Sequence, residues 1–314
     1  MPKTMEILDS CPICLTTSFS HFMTTKTMMH DATQKQDFSF VECDECSVVF
    51  LNPRVEGDLL GPYYRSFYLP YRGGEAWGKY GKIVDKDEVL LDKKRVNICL
   101  KLGVNEETKI LDIGCGKPSF LKKLVDKTNC KAWGSDFSIE GWKKNPYRGV
   151  ELLEGDVHDL DLPQEHYDLI TMWHYLEHDY HPTKTIQLAY KLLKPGGKII
   201  IEVPNVDSYT RKWQREYWQG WHTPRHTVLY SPKTLGRLLT DQDFELVKQQ
   251  RHGTIDGFTL WWMGEMEKKQ LDWSASLEKE FLPFVLKKIA TYPLFALQRL
   301  IPLGIQLTVA QKPG

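Results

Sequence analysis

Apolar positions along the chain follow two patterns. Between Ile83 and Leu102 they recur at helical spacing, with Val84, Leu91, Val96, Ile98 and Leu102 set among many Lys, Asp and Glu residues. This predicts a surface helix stopped by Gly103. From Lys109 onward, short apolar runs of strand length alternate with amphipathic stretches: KILDI, a helix over 119–127, KAWGS, a short helix after Ser138, VELLEG, YDLITMW, a helix over 182–193, then KIIIEV. Such alternation predicts a parallel sheet with helices on both faces, because each parallel strand needs a crossover to return the chain. Beyond it the pattern predicts a helix near 231–240, a strand FELVKQQ, and a last strand IQLTVAQ after a helical insertion over 253–304.

Residues 1–52 carry a different signal. Cys11 and Cys14 form one CxxC pair, Cys43 and Cys46 another, and 28 residues lie between the pairs. Four thiolates on two short loops suit a tetrahedral Zn2+ ion, with every coordination position filled by sulfur and the metal therefore structural. Two disulfides, an iron site or unpaired thiols are the alternatives, the iron site weakened by Leu15 and Ser47, which stand where iron knuckles usually carry Gly. The expected organisation is a zinc ribbon over 1–52, a helical linker or lid over 53–104, and a main α/β domain over 105–314. The 41 basic and 41 acidic side chains cancel and are scattered, so no nucleic acid partner is expected. No apolar leader opens the chain and no run of apolar residues is long enough to span a bilayer, which points to a cytoplasmic protein.

The sequence Ile110-Leu111-Asp112-Ile113-Gly114-Cys115-Gly116 places a glycine turn between a buried strand and a helix. A dinucleotide fold would want a third glycine at Ser119. Asp112, two residues before the first glycine, would repel a pyrophosphate but pairs well with an ammonium group. Asp136 ends the next strand, where a carboxylate accepts both hydroxyls of a ribose, and Asp156, after Gly155, suits an adenine amino group. An amine, a ribose and an adenine with nothing for phosphate describe S-adenosylmethionine. Asp112, Gly114, Cys115, Gly116, Asp136, Phe137, Asp156, Val157 and Trp173 are the candidate cofactor residues. Helix or turn capping is the plainer role for the three aspartates, and Cys115 reads as a small buried residue.

With LDIGCG, Asp136, GDVHDL, YDLITMWHYLEH and LLKPGGKIIIEVPN in this order, the chain resembles the class I S-adenosylmethionine-dependent methyltransferases. The CxxC pairs, NPR, WHTPRH and YSPKTL extend the likeness to a subgroup with an N-terminal zinc-binding domain. The resemblance implies a Rossmann-like, mostly parallel sheet of seven strands with an antiparallel last strand, supplied here by IQLTVAQ. Pro118 departs from the family's usual third glycine, but proline is tolerated at a helix start.

Methyl transfer to a hydroxyl needs an aligned acceptor and a base. After the fourth strand His174, Glu177 and His178 share one face if they begin a helix. His178 is the leading base, and the trio otherwise resembles a divalent metal site proposed for quinone-pathway O-methyltransferases. A second cluster holds Trp218, Trp221, His222, Arg225 and His226 as candidate acceptor contacts, with His226 assisting catalysis. In sugar C-methyltransferases with the same ribbon this stretch has a Tyr-x-Glu-His arrangement, but Thr223 and Arg225 stand at its Tyr and Glu positions. Arg225 instead suggests an anionic acceptor. Tyr63 and Tyr64 are placed to close over the donor. The reading is O-methylation of a small-molecule, lipid-linked or saccharide-type acceptor, with a non-catalytic cofactor-binding protein as the alternative. Residues 281–301 join apolar and basic side chains, which read first as a helical hairpin burying its apolar face on the domain or on another subunit, as in a homodimer, and alternatively as a peripheral membrane contact, with Pro283 and Pro293 expected to break any single long helix.

Overall fold

The structure is a computed structural model that describes residues 5–30, 35–64, 68–143 and 147–314. Its strands are β1 (Met5–Glu6), β2 (Phe19–Lys26), β3 (Asp37–Cys43), β4 (Val49–Leu51), β5 (Arg54–Val55), β6 (Lys109–Ile113), β7 (Lys131–Asp136), β8 (Val150–Glu154), β9 (Tyr167–Trp173), β10 (Leu193–Pro204), β11 (Val228–Leu229), β12 (Glu245–Gln250) and β13 (Ile305–Gln311). Its helices are α1 (Leu69–Arg72), α2 (Gly81–Lys101), α3 (Ser119–Thr128), α4 (Pro182–Leu192), α5 (Tyr209–Gln214), α6 (Pro232–Thr240), α7 (Gly257–Lys268) and α8 (Phe281–Ala296).

Seven strands form one sheet in the order β12-β13-β10-β9-β6-β7-β8, and only β13 runs against its neighbours. This is the Rossmann-like sheet expected from the strand and helix alternation. The central strands are almost wholly buried, with Ile110, Leu111 and Ile113 of β6 and Ile170 and Met172 of β9 nearly inaccessible. Such continuous apolar runs are tolerable only where helices cover both faces. α3 turns Phe120, Leu121 and Leu124 onto the sheet and ends at Asn129 in the left-handed conformation. α6 begins with a capping box in which the Ser231 side chain accepts from Thr234 N, an arrangement worth about 1 kcal/mol. Strand order reverses between β9 and β6, and the crevice outside the carboxyl ends of strands at such a point is where open α/β sheets bind ligands.

The N-terminal strands form a second sheet, β11-β4-β3-β2, whose edge strand comes from residues 228–229 of the main domain. Cys11, Cys43, Cys46 and Phe50 pack in one apolar cluster with Ile113, Met172 and Tyr230. The ribbon is therefore built into the core of the main sheet.

Two local expectations are corrected. After Ser138 the described residues make a 3-10 turn, Ile139–Gly141, in place of a helix. α8 runs unbroken through Pro283 and Pro293. Pro283 falls in the first turn, where a missing N–H costs little, whereas Pro293 lies inside the helix and the helix runs on without its N–H bond to the Ile289 carbonyl. Among the described residues no helix is long and apolar enough to cross a membrane.

Candidate active site

The β6–α3 turn is shaped by its glycines. Gly114 (φ 73°) and Gly116 (φ 49°) lie in the left-handed region, and a Cβ on Gly114 would come within 2.3 Å of the Tyr175 ring. Gly114 and Cys115 both donate backbone N–H bonds to the Ser135 carbonyl, at 2.8 and 3.0 Å. Asp136 holds the turn from the β7 side, accepting from Gly116 N at 2.8 Å and Ser138 N at 3.0 Å. Asp112 is buried at the end of β6 and accepts a bond from Thr171 Oγ1 at 2.6 Å. Burial pushes its carboxyl up to about 7, although the Thr171 bond and Arg95 pull the other way. Burial likewise raises Asp136 and holds the Cys115 thiol protonated. Asp156 is exposed and caps its own turn through His158 N at 2.9 Å, while Val157 is buried beside it. Trp173 packs on Phe120 at 5.6 Å, and its Nε1 has no hydrogen-bond partner among the described residues. Phe137 projects outward and meets the Tyr64 ring edge-on at 6.1 Å.

Where β9 ends, His174 takes φ 57° and the chain turns through 3-10-like geometry in place of the helix that would put His174, Glu177 and His178 on one face. His174 is instead held between two fully buried carboxylates, Nδ1 at 3.1 Å from Glu177 Oε1 and Nε2 at 2.9 Å from Glu202 Oε1. Burial alone would lower its pKa, but the two carboxylates outweigh that and push it up to about 9. Both ring nitrogens therefore donate at neutral pH, and His174 has no lone pair for a base. Glu202 stays below the usual carboxylate range despite burial because His174 and Thr254 donate to it. This is the same interaction seen from the other partner.

His178 behaves differently. Its Nδ1 lies 3.1 Å from both the Tyr64 hydroxyl and the Arg225 carbonyl. A carbonyl only accepts, which assigns the proton to Nδ1 and leaves a lone pair on Nε2. The His226 ring meets the His178 ring edge-on at 4.5 Å, and His226 Nδ1 donates to the Gly220 carbonyl at 2.7 Å, again leaving Nε2 its lone pair. Burial lowers the pKa of His178, His226 and His222, helped by the neighbouring cations, so all three are neutral at pH 7. Ligand atoms of Glu177, His178 and His226 lie within 4.8 Å of one another. Glu177 Oε2 and His222 Nε2 are buried with no hydrogen-bond partner among the described residues.

The expected roof of acceptor contacts has other duties. Trp218 and Trp221 are wholly buried in the core beneath the ribbon, where Trp221 packs on Phe40 at 4.8 Å and donates to the Arg215 carbonyl. Arg225, also wholly buried, donates to the carbonyls of Tyr63, Met28 and Met29 at 2.8, 3.0 and 2.8 Å. It ties the ribbon and the 61–64 turn to the main domain, and among the described residues no carboxylate forms an ion pair with it. Tyr63 is buried against His30, whereas Tyr64 reaches the site. Tyr68, not foreseen, stacks on His222 at 5.5 Å. Glu202 and Thr254 were also missed. A lone Glu inside the apolar run KIIIEV was the available signal, because a buried strand carboxylate demands a partner.

The four ribbon cysteines converge with Cys11 Sγ 3.6 Å from Cys46 Sγ and Cys14 Sγ 3.4 Å from Cys43 Sγ. Sulfurs bound at about 2.3 Å to one tetrahedral zinc lie roughly 3.8 Å apart, so the cluster fits that ion and is far too open for disulfides. Leu15 (φ 63°) and Ser47 (φ 59°) adopt the left-handed turn of a metal knuckle without being glycine.

A family model described as a methyltransferase domain matches residues 87–249. An uncharacterized protein of Methanocaldococcus jannaschii is 28% identical over 174 residues, covering 55% of this chain and 78% of that one. Sterol 24-C-methyltransferase of Candida albicans is 26% identical over 52% of this chain, and the match spans 46% of its own length. Among solved structures, Haemonchus contortus phosphoethanolamine N-methyltransferase 2 in complex with S-adenosyl-L-methionine aligns with a TM-score of 0.52 at 16% identity, covering 95% of this chain and 69% of that one. It shows the shared fold.

Proposed function

The chain belongs to the methyltransferase-domain family and has the fold of an S-adenosylmethionine-dependent methyltransferase, and on that premise we propose that it methylates a hydroxyl of a small, lipid-type acceptor with His178 as the base. The cofactor supplies an electrophilic methyl group on a sulfonium. Asp112 would pair with its ammonium group, Asp136 with its ribose, and Asp156 and Val157 would border its adenine beside the Gly114–Gly116 turn.

The observation that carries the base assignment is the state of the His178 ring. Its Nδ1 proton is held by a backbone carbonyl, its Nε2 lone pair is available, and burial keeps it neutral. A neutral imidazole with a fixed tautomer can take the proton of an acceptor hydroxyl as the methyl group arrives. Tyr64 orients the ring and carries contact onward to Phe137, next to Asp136, so the base is linked to the cofactor side by touching aromatic rings. His226, with its own Nε2 lone pair, receives or relays the proton. Arg225 is removed from acceptor recognition by its three backbone bonds, so the acceptor need not be anionic. Similarity to a sterol-modifying enzyme supports an apolar acceptor. Zn2+ on the four ribbon cysteines is proposed as structural, since four sulfurs leave no position for a reactant.

The test is transfer from methyl-labelled S-adenosylmethionine across a panel of phenols, prenylated phenols and sterols, with product analysis of the methylated atom. His178→Ala should lower turnover about 100-fold or more with unchanged cofactor affinity. Unchanged turnover would remove His178 as base. A rate that requires added Mg2+ or Mn2+ and is lost in Glu177→Gln would assign the Glu177, His178 and His226 cluster to a divalent ion instead.

A further inference from the structure

α8 presents its apolar side outward. Its inner side is satisfied: Phe281 stacks on Tyr80 at 4.1 Å, Phe284 meets Trp77 and Trp262, and Phe295 meets Phe258. Its outer side and the turn that follows carry Leu282, Leu286, Ile289, Tyr292, Leu297 and Leu300, of which Leu286 and Ile289 are 67% and 68% exposed. Isolated exposed leucines are ordinary on a soluble surface, but six in one stripe are not. Within α8 and the residues after it the charge is of one sign, Glu278 and Glu280 standing just before the helix. Residues 281–314 contain no Asp or Glu, while Lys287 and Arg299 flank the stripe. Lys288 is engaged with Asp256 at 3.1 Å and Lys312 with Glu165 at 3.1 Å.

We propose that this face of α8 lies on an anionic lipid bilayer, its leucines and isoleucine entering the interface, with Tyr292 at headgroup level and Lys287 and Arg299 reaching phosphate. Charge complementarity favours lipid over a second copy of the chain. A two-fold contact through the stripe would bring both copies' Lys287 and Arg299 to one interface, with no carboxylate in residues 281–314 to pair with them. The position also gives the contact a use. α8 packs on the 73–80 segment, which follows Tyr64 and Tyr68, so a bilayer beneath α8 adjoins the element that covers the site. That last step rests on the lipid-acceptor reading above. Binding to the bilayer does not.

The experiment is flotation of the full chain with vesicles of phosphatidylcholine alone and of phosphatidylcholine mixed with phosphatidylglycerol. The protein is expected to float with the anionic vesicles, less so with the neutral ones and at high salt. Leu286→Glu with Ile289→Glu should weaken the partition about tenfold or more while circular dichroism and cofactor binding stay as in the parent. Lys287→Glu with Arg299→Glu should abolish the preference for anionic vesicles while leaving the fold untouched. Failure of the parent protein to float with either vesicle, or flotation unaffected by both variants, overturns the proposal. So does a dimer in light scattering that Leu286→Glu dissociates in the absence of any vesicle binding. Since flotation needs no acceptor, a failed acceptor screen leaves this test standing, and a failed flotation leaves the base assignment standing.

Discussion

Two residues of the site have raised pKa values, His174 because neighbouring carboxylates hold its charge and Asp112 because burial opposes its charge, and each yields a pH test. His174 has a folded pKa raised to about 9 by Glu177 and Glu202 against an ordinary value near 6.5. A raised cationic pKa gives stability that is fully present below about pH 6.5 and is lost as pH rises through about 9. Unfolding free energy should therefore fall between pH 7 and 9 with a slope of up to about 1 kcal/mol per unit, and His174→Gln should flatten this dependence. Denaturant titrations across that range check it, and a parent curve as flat as the variant's would show that the ring is neutral in the fold. Asp112 has a carboxyl raised to about 7. An ammonium partner requires the ionised form, so affinity for S-adenosylmethionine should strengthen from pH 5.5 to 7.5, at most about tenfold per unit below the midpoint. Thr171→Val removes the bond that opposes burial and should move the midpoint to higher pH. Calorimetric titration reads both, and a pH-independent affinity would remove Asp112 as the ammonium partner.

At the scale of elements, the glycine turns divide into those that need space and those that need only a backbone angle. Gly114 has φ 73° and its Cβ position is 2.3 Å from Tyr175 Cδ2 and 3.0 Å from Tyr175 Cβ, so a methyl group there must move the Tyr175 backbone. Gly196 has a similar φ of 78° but open space around it. Gly114→Ala should weaken cofactor binding at least about tenfold and displace His178, three residues beyond Tyr175. Gly196→Ala should cost about 1 kcal/mol of stability and leave binding alone. Equal binding losses in the two variants, measured by the same titration, would show that strain and not contact governs the turn. The contrast also explains what the sequence reveals. β6, α3, β9, α4 and β13 were legible because each buries one continuous face, and the spacing of apolar residues records that burial. The β11 edge of the ribbon sheet was not legible, because a two-residue strand has no period and its pairing is to Phe50 and Val49, far back in the chain. The role of His174 was missed for a similar reason. The i, i+3, i+4 spacing suggested a helix, but a tertiary bond to Glu202 holds the segment in another conformation. An aromatic cluster after a strand does not say which side of it faces solvent, and Trp218 and Trp221, candidate acceptor contacts by sequence, lie in the core. α8 was legible as apolar and basic, but which face points outward depends on what α7 and the 73–80 segment already cover.

The ribbon and the sheet are joined by packing and by backbone bonds. Cys11, Cys43 and Cys46 share an apolar cluster with Ile113 and Met172, β4 pairs with β11, and Thr227 donates to the Glu177 carbonyl at 2.7 Å while Leu51 donates to Thr227 at 2.8 Å. A continuous path of backbone bonds therefore runs from the proposed zinc site through residues 227–229 to the loop that carries His178. Arg225 adds three bonds from the same segment to Met28, Met29 and Tyr63. A small metal module on a linker would unfold by itself when its metal is lost, leaving the main sheet and its cofactor affinity intact. The connected arrangement predicts a different result for Cys43→Ser, or for chelation of the parent protein. Calorimetry should show a single transition shifted down by on the order of 10 °C, with loss of cofactor binding following the same curve. The single transition is the decisive feature. Ribbon unfolding propagates to His178 because the ribbon's bonds to residues 225–229 adjoin the Thr227 bond to the Glu177 carbonyl, one residue from His178. Two resolved transitions, with cofactor affinity surviving the first, would show that the bonds through residues 225–229 are too weak to couple the ribbon to the site.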